Sequence, residues 1–579
     1  MPIILIRLIV WLFTLCLTVP VISQEIFDDP SQDGWESEAA SALLQTKLKK
    51  MVGNYLVSGK LDQIKIQSEA KSGLVRESDF ELIERDELFT RKAIKLEYLP
   101  IEPTVTFEEG FKKILGSISN TSEQNEAYFR LKVSEIVLKD TVAQTKVLFY
   151  AASKGVGKRT QINSSWNVTW SISSDHETVS LQSLEILSHE ELTLDGDKKW
   201  FADATLALFE DDKAFTEQLQ KGVSSWLNEI ERFAGSNIYS RHGFAIGDVN
   251  GDGLDDLYIC QPGGLPNRLF LKQNDGTLVD QSLKSGLDIL DETRSSLFVD
   301  LDNDGDQDLV LGSFVGVYLY ENNGNAVFKN KGKLLNLERD VNSLSAVDYD
   351  NDGKIDIFTS IYWSDKQLNG KVGNVFDQNT KGGTNKLFKN QVSNDGEWSF
   401  VDVTEESGLM VNNQRYTLAA SWEDFDHDGD QDLYIANDFG KNNLFQNNGE
   451  GSFIDIAKAQ GLEDYGPSMS VSWGDFNRDE KPDLYVANMF SSAGNRVVPQ
   501  ANFSLDKSFG LSTESLLRFN KGNSLYSFNG NDFDEMPQSN GAENALWAWS
   551  SILADIDNDG WQDALVANGY ISGPGGGDL

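Results

Sequence analysis

Six nonapeptides in the C-terminal half of this 579-residue chain share the pattern D-x-[DN]-x-D-x-x-x-D. They are DVNGDGLDD from Asp248, DLDNDGDQD from Asp300, DYDNDGKID from Asp348, DFDHDGDQD from Asp424, DFNRDEKPD from Asp475 and DIDNDGWQD from Asp555. Asp, Asn and Gly favour turns for local hydrogen-bonding reasons, but that preference does not produce six copies of one spacing. Carboxylates crowded into a tight turn repel one another unless a cation lies among them. Alternate residues of such a loop present hard oxygens at positions one, three and five, a backbone carbonyl serves at seven, and a carboxylate at nine completes the shell. That many-oxygen, flexible set suits Ca2+ better than the small octahedral cage of Mg2+. EF-hand loops share the first three positions but lie between helices, whereas the residues flanking these loops favour strands.

Four shells are complete: Asp300, Asp302, Asp304 and Asp308; Asp348, Asp350, Asp352 and Asp356; Asp424, Asp426, Asp428 and Asp432; Asp555, Asp557, Asp559 and Asp563. The first loop offers Asp248, Asn250, Asp252 and Asp256, in which the amide oxygen replaces one charge and weakens the site. The fifth offers Asp475, Asn477, Asp479 and Asp483. Position six is Gly253, Gly305, Gly353, Gly429 and Gly560 in five loops, allowing a positive φ that lets the ligand oxygens converge. Glu480 takes that place in the fifth loop and Pro482 follows, so this loop is expected to be the weakest site or an empty one.

The loop starts are separated by 52, 48, 76, 51 and 80 residues, so a unit of about 50 recurs with two longer intervals. An apolar stretch leads into each loop, such as Leu297 to Val299, and a β-rich run leads out, such as Leu433-Tyr434-Ile435-Ala436-Asn437. A second signature follows in Asn267-Arg268-Leu269-Phe270, Asn385 to Asn390 and Asn442 to Asn447, with Gly-containing turns after it. Two hairpins per unit make a four-stranded blade, and blades that cannot bury both faces alone must stack around an axis as a β-propeller.

These acidic loops, the N-x-L-F-x-N hairpins and the D-[VI]-[TA]-x-x-x-G-L ends at Asp402 to Leu409 and Asp455 to Leu462 resemble FG-GAP/VCBS repeats. Such repeats build integrin α-chain propellers and the secreted proteins similar to cartilage acidic protein (ASPIC/UnbV type). The resemblance covers about residues 240 to 579. It implies a propeller of the seven-bladed type with Ca2+ between the first two strands of a blade, and it brings no defined reaction. The sequence runs to GPGGGDL, just after the second strand of its last blade, so both a closed and an incomplete ring stay open at this point.

The remaining sequence supplies the setting. The hydrophobic fraction is 40% and the charged fraction 24%, as in folded soluble proteins, but the net charge of −40 argues against nucleic acid or anionic lipid as a partner. Residues 1–23, with an apolar run after Arg7 and Val21-Ile22-Ser23 at the end, read as a secretory signal peptide. The mature chain is then expected outside the cytoplasm, secreted, periplasmic or at the cell surface, without stable membrane insertion. With Cys16 removed, Cys260 has no partner for an internal disulfide. Residues 24–60 predict an amphipathic helix through Ala40, Leu43, Leu44, Leu48, Met51, Val52 and Tyr55. Residues 61–196 predict a smaller α+β domain with three or four antiparallel strands between Tyr128 and Ser188. Residues 197–236 predict a helical linker whose stripe of Phe215, Leu219, Val223, Trp226, Leu227, Ile230 and Phe233 packs on the first blade. His176 and His189 are expected at exposed sheet or turn positions. No nucleophile and base can be paired, and GVGKRT at Gly155 lacks the strand-to-helix setting of a phosphate loop. The expected function is a calcium-binding interaction or adhesion module for an extracellular protein or polysaccharide, not an enzyme. The competing expectation is a propeller lyase or hydrolase with its site in a central channel.

Overall fold

The structure is a computed structural model that describes residues 36–569 apart from 62–64, 86–88, 120–126, 155–157, 174–177, 196–200, 210–211, 222, 227–228, 230–241, 335–336, 365–380, 394–395, 501–511, 537–541 and 543–544. The leader, His176, Gly155, and the linker residues Leu227, Ile230 and Phe233 lie outside the described residues.

The chain is mostly β. Its N-terminal unit is one eight-stranded sheet of β1 (Lys65–Ser72), β2 (Phe80–Arg85), β3 (Phe89–Ile94), β4 (Val105–Thr106), β5 (Ala127–Lys139), β6 (Val142–Lys154), β7 (Lys158–Ile172) and β8 (Val179–Asp195). The last four run antiparallel as a long meander, while β1 joins the early part of β8 in parallel. Helix α1 (Glu36–Ser58) buries Leu44, Leu48, Met51 and Val52, and α2 (Phe107–Ile114) buries Phe107, Phe111 and Ile114. Both share one core with Trp166 and Trp170 of β7. Thr106 caps α2, its Oγ1 accepting from the Glu109 amide at 3.4 Å. Among the described residues no helix is long and apolar enough to cross a membrane.

His189 is buried and not exposed as expected, because β8 is covered near this point: the ring meets Phe80 edge-on and its Nε2 lies 3.5 Å from Glu191. The linker also departs from expectation. Its described part is broken into short helical turns at Thr205–Phe209, Phe215–Leu219 and Val223–Trp226. Tertiary bonds compete with a continuous helix here: the Gln218 carbonyl accepts from the Trp226 indole, and its side chain joins Arg268 and the Pro266 carbonyl. Phe209 and Phe215 do pack on the first repeat, against Phe270 and Leu278.

Five four-stranded antiparallel sheets and one two-stranded sheet follow. They comprise β9 (Phe244–Gly247), β10 (Asp256–Ile259), β11 (Arg268–Lys272) and β12 (Leu278–Asp280), then β13 (Thr293–Val299), β14 (Asp308–Ser313), β15 (Gly316–Glu321) and β16 (Lys329–Lys333). The third sheet is β17 (Val341–Val347), β18 (Asp356–Ile361), β19 (Lys386–Asn390) and β20 (Phe400–Asp402), and the fourth β21 (Thr417–Glu423), β22 (Asp432–Asn437), β23 (Asn443–Asn447) and β24 (Phe453–Asp455). The fifth holds β25 (Ser468–Gly474), β26 (Asp483–Asn488), β27 (Ser524–Phe528) and β28 (Phe533–Glu535), and the sixth β29 (Ala548–Ala554) and β30 (Asp563–Asn568). Each sheet is a meander, and the first strands of successive sheets lie side by side from β9 to β29. The second strands of the middle sheets are buried along their whole length, as expected for strands covered on both faces. Aromatic pairs such as Phe425 with Trp473 and Phe358 with Trp422 join one sheet to the next.

Candidate metal centres

All six acidic loops connect the first and second strands of their sheets, and all adopt one conformation. The position-one carboxylate closes each loop by accepting the amides of positions five and six. The first of these bonds spans 3.0–3.2 Å and the second 2.7–3.0 Å. Position six takes the positive φ expected of its glycines, and Glu480 is held there at φ 65° despite its side chain. Position four is left-handed as well, in Gly251, Asn303, Asn351, His427, Arg478 and Asn558. The preference of Asn and Gly for that region was the readable signal for this second turn.

The fourth residue also reaches the neighbouring loop. Asn303 Nδ2 donates to the Gly353 carbonyl at 3.0 Å, Asn351 Nδ2 to that of Gly429 at 3.4 Å, and the Arg478 guanidinium lies over Trp561 at 5.0 Å. These contacts join the second loop to the third, the third to the fourth and the fifth to the sixth.

The structure gathers carboxylates in the four loops whose shells are complete in sequence. Ligand oxygens within 4.8 Å of one another come from Asp300, Asp302 and Asp304; Asp348, Asp350 and Asp356; Asp424, Asp426 and Asp432; and Asp555, Asp557 and Asp559. In the first and fifth loops, the residue at position three is turned to other work: Asn250 donates to Asp252 at 3.0 Å and Asn477 to Ser527 at 2.9 Å. Asp248, Asp252 and Asp256, and Asp475, Asp479 and Asp483, form no such cluster among the described residues.

Position nine has a second role. Asp256, Asp308, Asp356, Asp432 and Asp483 each accept a backbone amide from the end of the third strand, at 2.7–2.9 Å, and so tie the loop to the next hairpin. Burial, with nearby loop carboxylates adding to it, pushes Asp308 and Asp356 up to about 7 and Asp432 to about 8. At position seven, where the sequence suggested only a carbonyl, Asp306 and Asp430 add carboxyl groups that burial and their neighbours push up to about 6.

Several of these oxygens are buried without a hydrogen-bond partner among the described residues: Asp302 Oδ1, Asp306 Oδ1, Asp350 Oδ1, Asp426 Oδ1, Asp430 Oδ1 and Asp432 Oδ2. A buried carboxylate oxygen with no donor is costly, and a cation among the carboxylates removes that cost. The all-oxygen donor set could hold a hard metal ion.

Sequence comparison adds to this geometry. A family described as FG-GAP-like repeat matches residues 248–311, 300–359 and 424–486, each match beginning at the first aspartate of a loop. The chain carries FG-GAP-like repeats. Cartilage acidic protein 1 of Xenopus tropicalis is 45% identical over 58 residues, and the human protein 40% over 58 residues; the match covers 10% of this chain and only 9% of the length of either relative. A solved Agrocybe aegerita lectin, described as specifically recognising non-reducing terminal N-acetylglucosamine, aligns over 83% of this chain and 95% of its own with 11% identity and a TM-score of 0.29, too low to bear on fold or ligand. The FG-GAP-like repeats matched here include the first five acidic loops, and the sixth, from Asp555, repeats their hydrogen bonds.

Proposed function

We propose that the repeat region is a calcium-stabilised β-propeller through which the protein, exported after loss of residues 1–23, binds an extracellular protein or polysaccharide. The observation that carries the calcium reading is the set of buried aspartate oxygens without partners in the loops. A flexible, all-oxygen site of this kind suits Ca2+, which is plentiful outside the cytoplasm. Ring formation is supported by the side-by-side first strands.

A binding role is favoured over catalysis by what lines those strands. Three of their hydroxyls join one sheet to the next: Ser295 Oγ accepts the Leu344 amide at 3.2 Å, Ser345 Oγ the Trp422 indole at 3.0 Å, and Ser472 Oγ donates to the Ser551 carbonyl at 2.8 Å. Buried Arg294 is paired with Glu292 and Asp340, an arrangement that neutralises it in place.

Glycan-array and pull-down binding with the mature chain, in calcium and in chelator, tests the proposal. The reading predicts a retained partner that is released on chelation. Retention of no partner in calcium contradicts it.

A further inference from the structure

In the second to fifth loops, one position on the third strand lies beside position three of the loop. Strand register pairs the residue after each loop with an aromatic residue on the third strand: Leu257 with Phe270, Leu309 with Tyr320, Ile357 with Phe388, Leu433 with Phe445 and Leu484 with Tyr526. The next residue along that strand is Leu271, Glu321, Lys389, Gln446 and Ser527 in turn. Gln446 Nε2 donates to Asp426 Oδ2 at 2.6 Å, and Ser527 meets Asn477. Glu321 brings a further negative charge beside Asp302, with its own Oε1 held by Lys331 at 2.9 Å.

Lys389 is the exception in kind, because it places a cation in the loop. Its Nζ contacts Asp350 and lies 3.0 Å from Asp352 Oδ2, bridging positions three and five. The side chain is 26% exposed and that of Asp350 16%, so water screens the pair only partly. An ammonium has three donors and no lone pair, so it can neutralise these aspartates but cannot join them as a metal ligand. It also leaves Asp350 Oδ1 without a partner. A divalent ion at this loop draws on Asp350, which the gathered carboxylates share with Lys389, and on Asp352 of the shell read from the sequence, so it competes with the ammonium for both.

We propose that Lys389 is a built-in counter-ion of the third loop, holding Asp350 and Asp352 together without metal and having to be displaced before a divalent cation binds. This rests on the calcium reading and refines it: of the four loops with complete shells, the one from Asp348 is the weak member, and it keeps its shape when calcium is low. The lysine stem is long enough to swing outward, and after displacement its charge still opposes the nearby ion.

The test gives the third loop the glutamine that Gln446 supplies beside the fourth, Lys389→Gln, in the full chain, with Lys389→Arg retaining the charge and Lys386→Gln removing a lysine that pairs with Asp402 outside the loop. Calcium titration calorimetry should show one site tightened on the order of tenfold by Lys389→Gln, as expected for removing a unit charge near a divalent ion, and no change from Lys386→Gln. Lys389→Arg should keep the weak site. In chelator, Lys389→Gln should melt at a lower temperature than the wild type, and in calcium this deficit should vanish. A wild-type chain that binds calcium with an isotherm unchanged by Lys389→Gln overturns the counter-ion and leaves the calcium reading standing. A flat wild-type isotherm overturns both.

Discussion

At the scale of single residues, the loops differ in what their third position does. Asp302 has a buried oxygen without a partner, whereas Asn477 is already engaged with Ser527. Asp302→Ala should therefore remove most of one site's contribution in calcium, about 2 kcal/mol for a site of roughly 10⁻⁴ M in about 2 mM calcium. Asp479→Ala should cost less, and calorimetric melts of both variants check the ranking. The raised carboxyls of Asp308, Asp356 and Asp432, at about 7, 7 and 8, also give a pH signature. The folded, metal-free protein binds these protons more tightly than the unfolded chain, so their stabilising effect is complete below about pH 4 and is lost progressively as pH rises from there to about 8. Melting temperature in chelator should fall across that window. Calcium, which binds the ionised form, should abolish the fall, and a series of melts at stepped pH with and without the ion measures it.

At the scale of elements, the repeat was legible because its period is long and its chemistry repeats with it: six aspartate frames located six strand–loop–strand corners, and the Asn-x-Leu-Phe runs located the third strands of the first, third and fourth sheets. The two loops expected to be poorer, the first for Asn250 and the fifth for Glu480 and Pro482, are those that gather no carboxylate cluster among the described residues. Cross-loop details were not legible. The bonds from Asn303 and Asn351 and the reach of Lys389 act across contacts set by how sheets and strands lie against one another, which local spacing does not encode. The linker misled for a related reason: its apolar stripe is helical in period, but Gln218 and Trp226 find tertiary bonds that interrupt the helix. The fifth loop offers a test of backbone strain. Glu480 sits at φ 65°, where glycine occupies the other loops. Glu480→Gly should stabilise the chain by about 1 kcal/mol, read as a higher melting temperature in chelator, where metal binding does not contribute.

At the scale of the whole molecule, the N-terminal unit meets the repeats at the first sheet through the linker and again at an insertion in the fifth. Helix α3 (Ser492–Val497) carries Arg496, which donates to Glu38 of α1 at 3.0 and 2.7 Å and to the Val133 carbonyl of β5 at 2.7 Å. The sequence gives no sign of this contact, since its partners are more than 360 residues apart. Arg496 is buried, so Arg496→Ala should leave Glu38 without its counter-ion at a cost of about 2 kcal/mol, and the N-terminal unit should then melt apart from the repeats in a calorimetric scan. The central claim is that cations hold the acidic loops together, and the most direct measurement is a calorimetric melt of the full wild-type chain in about 2 mM calcium and in chelator. The account predicts that chelation lowers the transition of the repeat region by several degrees and shifts that of residues 36–195 much less. A chelated chain whose transitions all coincide with those in calcium would contradict it for all six loops.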